Sequence, residues 1–199
     1  MPNFEQGNSD KIRELAPEGT HMAYLYQIID YGTQPSKWQF GDKRICEFSF
    51  ELVDELRDFG WVMKPMSVHY RVNLPRYMNE KSGLFKLLTE LNGGKKLTDD
   101  QMRVFRPAEW VGKACSVMVV HTDDGKYANV KSVSSLPSKI KLETEQFNPS
   151  KTLDLDYFVK DDFDSLHDRQ KTKVQVSPEY QALFAEGNAS LIDEDELPF

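Results

Sequence analysis

The run Arg44-Ile45-Cys46-Glu47-Phe48-Ser49-Phe50-Glu51-Leu52-Val53 alternates apolar and polar side chains along its length. Successive side chains of an extended chain point to opposite faces, so Cys46, Phe48, Phe50 and Leu52 share one face and Glu47, Ser49 and Glu51 the other. A period of two marks a half-buried antiparallel strand. The segments on either side also read as strands, the first by composition and the second by alternation. Upstream, Met22 to Tyr31 (MAYLYQIIDY) is β-branched and aromatic and stops at Gly32-Thr33-Gln34-Pro35. Downstream, beyond a polar connector (Asp54 to Gly60), Ser67 to Leu74 sets Val68, Tyr70, Val72 and Leu74 against His69, Arg71 and Asn73, and Pro75 ends it.

Further out, the period changes. Asn79 to Leu91 places Leu84, Leu87, Leu88 and Leu91 at helical spacing, with Asn92-Gly93-Gly94 as the stop. Thr98-Asp99-Asp100-Gln101 fits a capping box for a second, short helix. Two more strands, Lys113 to His121 and Tyr127 to Ser134, flank the turn Thr122-Asp123-Asp124-Gly125. The order β-β-β-α-β-β predicts a mainly β fold: an OB-fold-like five-stranded Greek-key barrel with one helix between strands 3 and 4. An unrelated antiparallel α+β sheet is the competing architecture.

The flanks read differently. Residues 1–18 are polar and aperiodic, a flexible N-terminal arm before a binding domain over 19–141. Residues 142–190 predict an acidic, partly disordered extension with a short helix near 177–185, where Ser177 and Pro178 supply cap and first-turn signals. Residues 191–199 form an acidic tip, Asp193-Glu194-Asp195-Glu196-Leu197-Pro198-Phe199.

The net charge of −7 argues at first sight against nucleic acid. Its distribution reverses that. Residues 19–141 carry 18 basic and 14 acidic side chains, whereas residues 142–199 carry 5 and 14. A basic, aromatic-rich domain with an acidic appendage is the charge pattern of a nucleic-acid binder. Three Trp, eight Tyr and twelve Phe also require a packed core. No apolar run is long enough to span a bilayer and no signal peptide opens the chain, so the expectation is a cytoplasmic protein with no membrane partner. Cys46 and Cys115 fall in strand patterns and read as buried free thiols.

Catalytic patterns are sparse in the sequence. Gly94-Lys95-Lys96 lacks the leading glycine and hydroxyl residue of a phosphate-binding loop. The four histidines (His21, His69, His121, His167) are scattered, so neither metal nor cofactor is expected. Asp124-Gly125-Lys126 matches the D-x-K tail of some metal-dependent nucleases, but an Asp-Gly turn accounts for it. Asn188-Ala189-Ser190 is a glycosylation sequon without a secretory context.

Binding features are richer. Aromatic platforms among Lys and Arg hold single-stranded nucleic acid. Tyr31, Lys37, Trp38, Phe40, Lys43 and Arg44 lie in and beside the first interstrand loop, and Trp61, Lys64, Tyr70, Arg71, Arg76 and Tyr77 around the third strand. At the C-terminus, four acids and a terminal Leu-Pro-Phe make a tethered apolar plug that fits a basic-lined pocket.

The tip, with acids before a final Pro-Phe, resembles that of single-stranded DNA-binding proteins. Tyr24 to Gln34 (YLYQIIDYGTQ) and Trp110-Val111-Gly112-Lys113 resemble the OB-fold single-stranded DNA-binding proteins of bacteriophages. The resemblance covers residues 19–134 loosely and the last seven closely; Leu197 replaces the usual bacterial Ile. It implies a non-enzymatic, sequence-independent binder acting in phage DNA replication, recombination or repair, in the host cytoplasm. Trp38 and Phe40 would stack bases, while the tip recruits replication or recombination proteins and competes with DNA. The bacterial core spacing is absent, which favours a monomer or homodimer over a tetramer. The alternatives are an OB-fold protein-binding adaptor of a replication complex and a metal-dependent nuclease.

Overall fold

The computed structural model describes residues 14–35, 41–58, 60–137 and 139–185. Its centre is a sheet with path β3-β2-β1-β4-β5, formed by β1 (Gly19–Gln34), β2 (Lys43–Asp58), β3 (Met63–Asn73), β4 (Ala114–His121) and β5 (Ala128–Ser135), antiparallel throughout. A sixth strand, β6 (Lys151–Leu153), joins β1 in parallel across Gln27–Ile29. Between β3 and β4 lie α1 (Gly83–Leu91), α2 (Asp99–Arg103) and a 3-10 turn. After β6 come α3 (Lys160–Asp164), α4 (Asp168–Gln175) and α5 (Pro178–Ala185). The fold is mainly β.

The alternation in β2 builds the main core. Cys46, Phe48, Phe50 and Leu52 pack with Ala23, Leu25 and Ile28 of β1, Val68 and Val72 of β3, and the leucine stripe of α1. Cys46 and Cys115 are buried free thiols within it. The helix begins at Gly83, later than its periodicity suggests, because Asn79 closes a turn with Ser82, whose hydroxyl then accepts from Phe85 N. The capping box at Thr98 forms, with the side chains of Thr98 and Gln101 each serving the other's backbone.

Three features depart from the sequence expectation. First, the sheet does not close into a barrel: no ladder joins β3 to β5, and a groove separates them. The chain before β1 bridges one end of this seam. Glu14 pairs with Arg57 of β2, while the carbonyl oxygen of Ala16 is bonded to His121 of β4. Second, the polar connector after Val53 continues as strand. Leu56, Arg57 and Asp58 pair with Pro65, Lys64 and Met63, so β2 and β3 extend as a two-stranded ribbon beyond β1.

Third, residues 142–185 are a layer on the sheet. Leu153, Leu155, Phe163, Leu166 and Val174 form a second core with Ile29 and Tyr31 on the outer face of β1. The acidic composition hid this because a few apolar side chains on short elements suffice when β1 supplies the other half. Helix α5 lies where Ser177-Pro178 signals it; residues 186–199, with the tip, lie outside the described residues.

Candidate nucleic-acid interface

The polar face of β2, which sequence alone would expose, is covered. Glu47, Ser49 and Glu51 are all buried. Glu51 accepts hydrogen bonds from Phe147 N (2.6 Å), Asn148 N (2.8 Å) and Asn148 Nδ2 (2.7 Å) of the extension. Glu47 accepts from Tyr31 Oη (3.1 Å) and Arg71 Nε (2.5 Å). The outward residues of β3, by contrast, are exposed: Ser67, His69, Arg71 and Asn73 form a continuous polar column.

That column is the axis around which several expected residues gather. At one end the β2–β3 ribbon carries Trp61, 91% exposed, with Lys64 near its base. At the other end, past Asn73, stand Arg76 and Tyr77, the guanidinium 5.6 Å from the ring centroid and the ring 75% exposed. Lys43 is exposed on β2, opposite Gln34. Across the open seam, a groove of about 730 Å³ runs between Pro65–Arg71 and Tyr127–Val130, with Arg57 at its edge. Tyr70 is half-buried against the core and lines this groove.

Two expected residues take other places, and a third, Arg71, stays in the exposed column while paired with Glu47. Tyr31 is 2% exposed, packed under Leu153 and Phe163 and bonded to Glu47, so it has no face to offer a base; its stacking role is withdrawn. Arg44 is a structural cation: it is paired with the buried Asp30 and with Asp156 of the extension, and only a fifth of its side chain is exposed. Lys37, Trp38 and Phe40 and the tip Asp193, Glu194, Asp195, Glu196, Leu197, Pro198 and Phe199 lie outside the described residues.

Sequence reasoning missed Arg57, His69, Asn73, Tyr127 and Asn129. The alternation of Ser67 to Leu74 already placed His69 and Asn73 beside Arg71. Tyr127 immediately follows the hairpin turn, but nothing local says that this turn faces β3.

The electrostatics of the column are set by Glu47. Burial raises its pKa, but His69, Arg71 and the Tyr31 hydroxyl outweigh that and hold it below the ordinary glutamate value. Ser49, His69 and Glu47 invite comparison with a catalytic triad. Ser49 Oγ is 2.9 Å from His69 Nδ1, and Glu47 Oε1 is 3.8 Å from the same nitrogen. A nucleophile and an orienting carboxylate must use opposite ring nitrogens, and Ser49 is fully buried. The Asp124-Gly125-Lys126 run closes its turn, Asp124 accepting from Thr122 Oγ1 (2.6 Å) and Lys126 N (3.2 Å). Among the described residues, no group of three or more His, Cys, Asp or Glu side chains is placed to hold a metal ion, and no helix is long and apolar enough to cross a membrane.

Compared with known proteins, the chain matches no family model and no curated sequence.

Proposed function

We propose that the protein binds single-stranded nucleic acid without sequence preference along β3, from the Trp61 ribbon to Arg76 and Tyr77, with Tyr127 as a platform across the seam. The observation that carries this reading is the exposed column Ser67-His69-Arg71-Asn73, bordered at both ends by exposed aromatics and cations. At about 3.3 Å per residue, the 11 residues of β3 give a track about 36 Å long. Aromatic side chains accept any base because every base has a π-face, and the cations neutralise phosphates. The OB-fold reading is supported by the strand order and by the helix that follows β3. Single-stranded DNA is the ligand, replication and recombination the setting, and binding rather than turnover the activity. Lys37, Trp38 and Phe40 remain proposed contacts, and the tip remains the proposed hook for partner proteins.

The test is a titration of labelled oligo-dT with the full chain at two salt concentrations. Affinity should fall steeply with salt as counterions are released. Trp61→Ala and Tyr127→Ala remove exposed rings at little cost to folding. Each should weaken binding by roughly 5- to 150-fold, equivalent to about 1–3 kcal/mol per stacked base. No binding at low salt, or unchanged affinity in both variants, overturns the proposal.

A further inference from the structure

The β1–β2 connection leaves the sheet at Thr33-Gln34 and returns at Lys43-Arg44, and these two roots are gripped from outside by the C-terminal extension. Glu179 of α5 accepts hydrogen bonds from Thr33 N (2.7 Å) and Thr33 Oγ1 (2.5 Å). Gln34 Nε2 donates to the carbonyl of Lys173 (3.0 Å) and to that of Tyr31 (2.7 Å). The Lys173 ammonium lies 5.2 Å from the Tyr31 ring centroid. On the returning strand, Arg44 Nη1 donates to Asp156 Oδ1 (2.9 Å).

Two further facts make this grip specific. Gly32 has a φ of +68°, and a Cβ added there would stand 2.5 Å from Ser177 Cβ and Oγ, so the first root is shaped to receive the segment that leads into α5. The β1–β2 ladder also shifts register between Asp30 and Thr33, so only two ladder pairs, Thr33↔Arg44 and Gln34↔Lys43, lie beyond the shift, with the Asp30–Arg44 ion pair beside them. A ladder end beyond an irregularity frays readily when nothing else holds it. Here the extension holds it.

We propose that Glu179 and Asp156 are positioning residues. By fixing Thr33 and Arg44, the extension sets the geometry of the β1–β2 end of the nucleic-acid track, where Thr33 and Arg44 line one cleft with Arg76, and Arg76 in turn lies against Tyr77. This rests on the nucleic-acid reading above. It assigns residues 142–185 of the acidic extension a role other than electrostatic mimicry of DNA: removing its carboxylates should weaken binding, whereas removing a mimic would tighten it.

The experiment compares wild type with Thr33→Val, Thr33→Ser and Glu179→Ala in the full chain. Three quantities are read: amide hydrogen exchange at residues 33, 34, 43 and 44, exchange in α1 and β4 as internal references, and oligo-dT affinity. Thr33→Val and Glu179→Ala should accelerate exchange at the roots by about tenfold, the effect of losing a hydrogen bond to a charged group. Exchange in α1 and β4 should stay unchanged and affinity should drop several-fold, while Thr33→Ser, which keeps the hydroxyl, retains both. Unchanged exchange at the roots overturns the grip. Accelerated exchange with wild-type or tighter affinity overturns the positioning role. Failure of the wild type itself to bind marks failure of the nucleic-acid reading, and is distinct from either result.

Discussion

Glu47 concentrates the consequences of folding at the residue scale. In the sequence it is one polar position of an alternating strand; in the fold it is 4% exposed and shared by Tyr31, Arg71 and His69. A carboxyl whose folded pKa lies below its unfolded value contributes stability above the unfolded pKa and loses it as pH falls through the folded value. The unfolding free energy should therefore decline from about pH 4.3 downward. Urea unfolding between pH 3 and 6 should give a shallower acid limb for Glu47→Gln than for wild type. Identical limbs would show that Glu47 is not the linked group. Tyr31 is the counterpart lesson: an aromatic beside a polar loop looks like a base platform, and only the hidden second core reveals it as packing.

Elements differ in how far local sequence specifies them. Helix α1 is legible because Leu84, Leu87, Leu88 and Leu91 repeat at its own period and Ser82 caps it. Truncating the fully buried Leu88 to Ala should cost about 2–5 kcal/mol, read as a shifted denaturant midpoint with unchanged slope. A cost below about 1 kcal/mol would mean that the stripe is not in the core. The ribbon beyond Val53 is illegible for a physical reason: its charged side chains carry no alternation, and its strand character comes from pairing with Met63–Pro65. Helices α3 and α4 are hidden likewise, each contributing one buried side chain, Phe163 and Val174.

At the scale of the whole molecule, the described residues form one sheet with a core on each face. The boundary expected near residue 141 follows a change in composition, yet β6 adds to β1 in mid-strand and Glu51 of β2 takes its partners from residues 147 and 148. Ending the chain at residue 141 would expose Ile29 and Tyr31 and strip Glu51 of three hydrogen bonds. Such a truncation should melt well below the full chain and lose cooperativity, whereas the full chain should unfold in one transition. A truncated protein that melts within a few degrees of the full chain, equally cooperatively, would restore the two-part organisation.

The sequence by itself determined the strand composition of β1, the local period of β2, β3 and α1, the hairpin turn between β4 and β5, the burial of both cysteines and the segregation of charge, because each depends on neighbours a few positions apart. The tertiary structure alone decided that the sheet stays open, that Arg44 is structural, that Tyr127 faces β3 and that the acidic extension braces the fold. Those outcomes depend on partners up to 146 residues apart, as between Thr33 and Glu179, and only the folded chain brings them together.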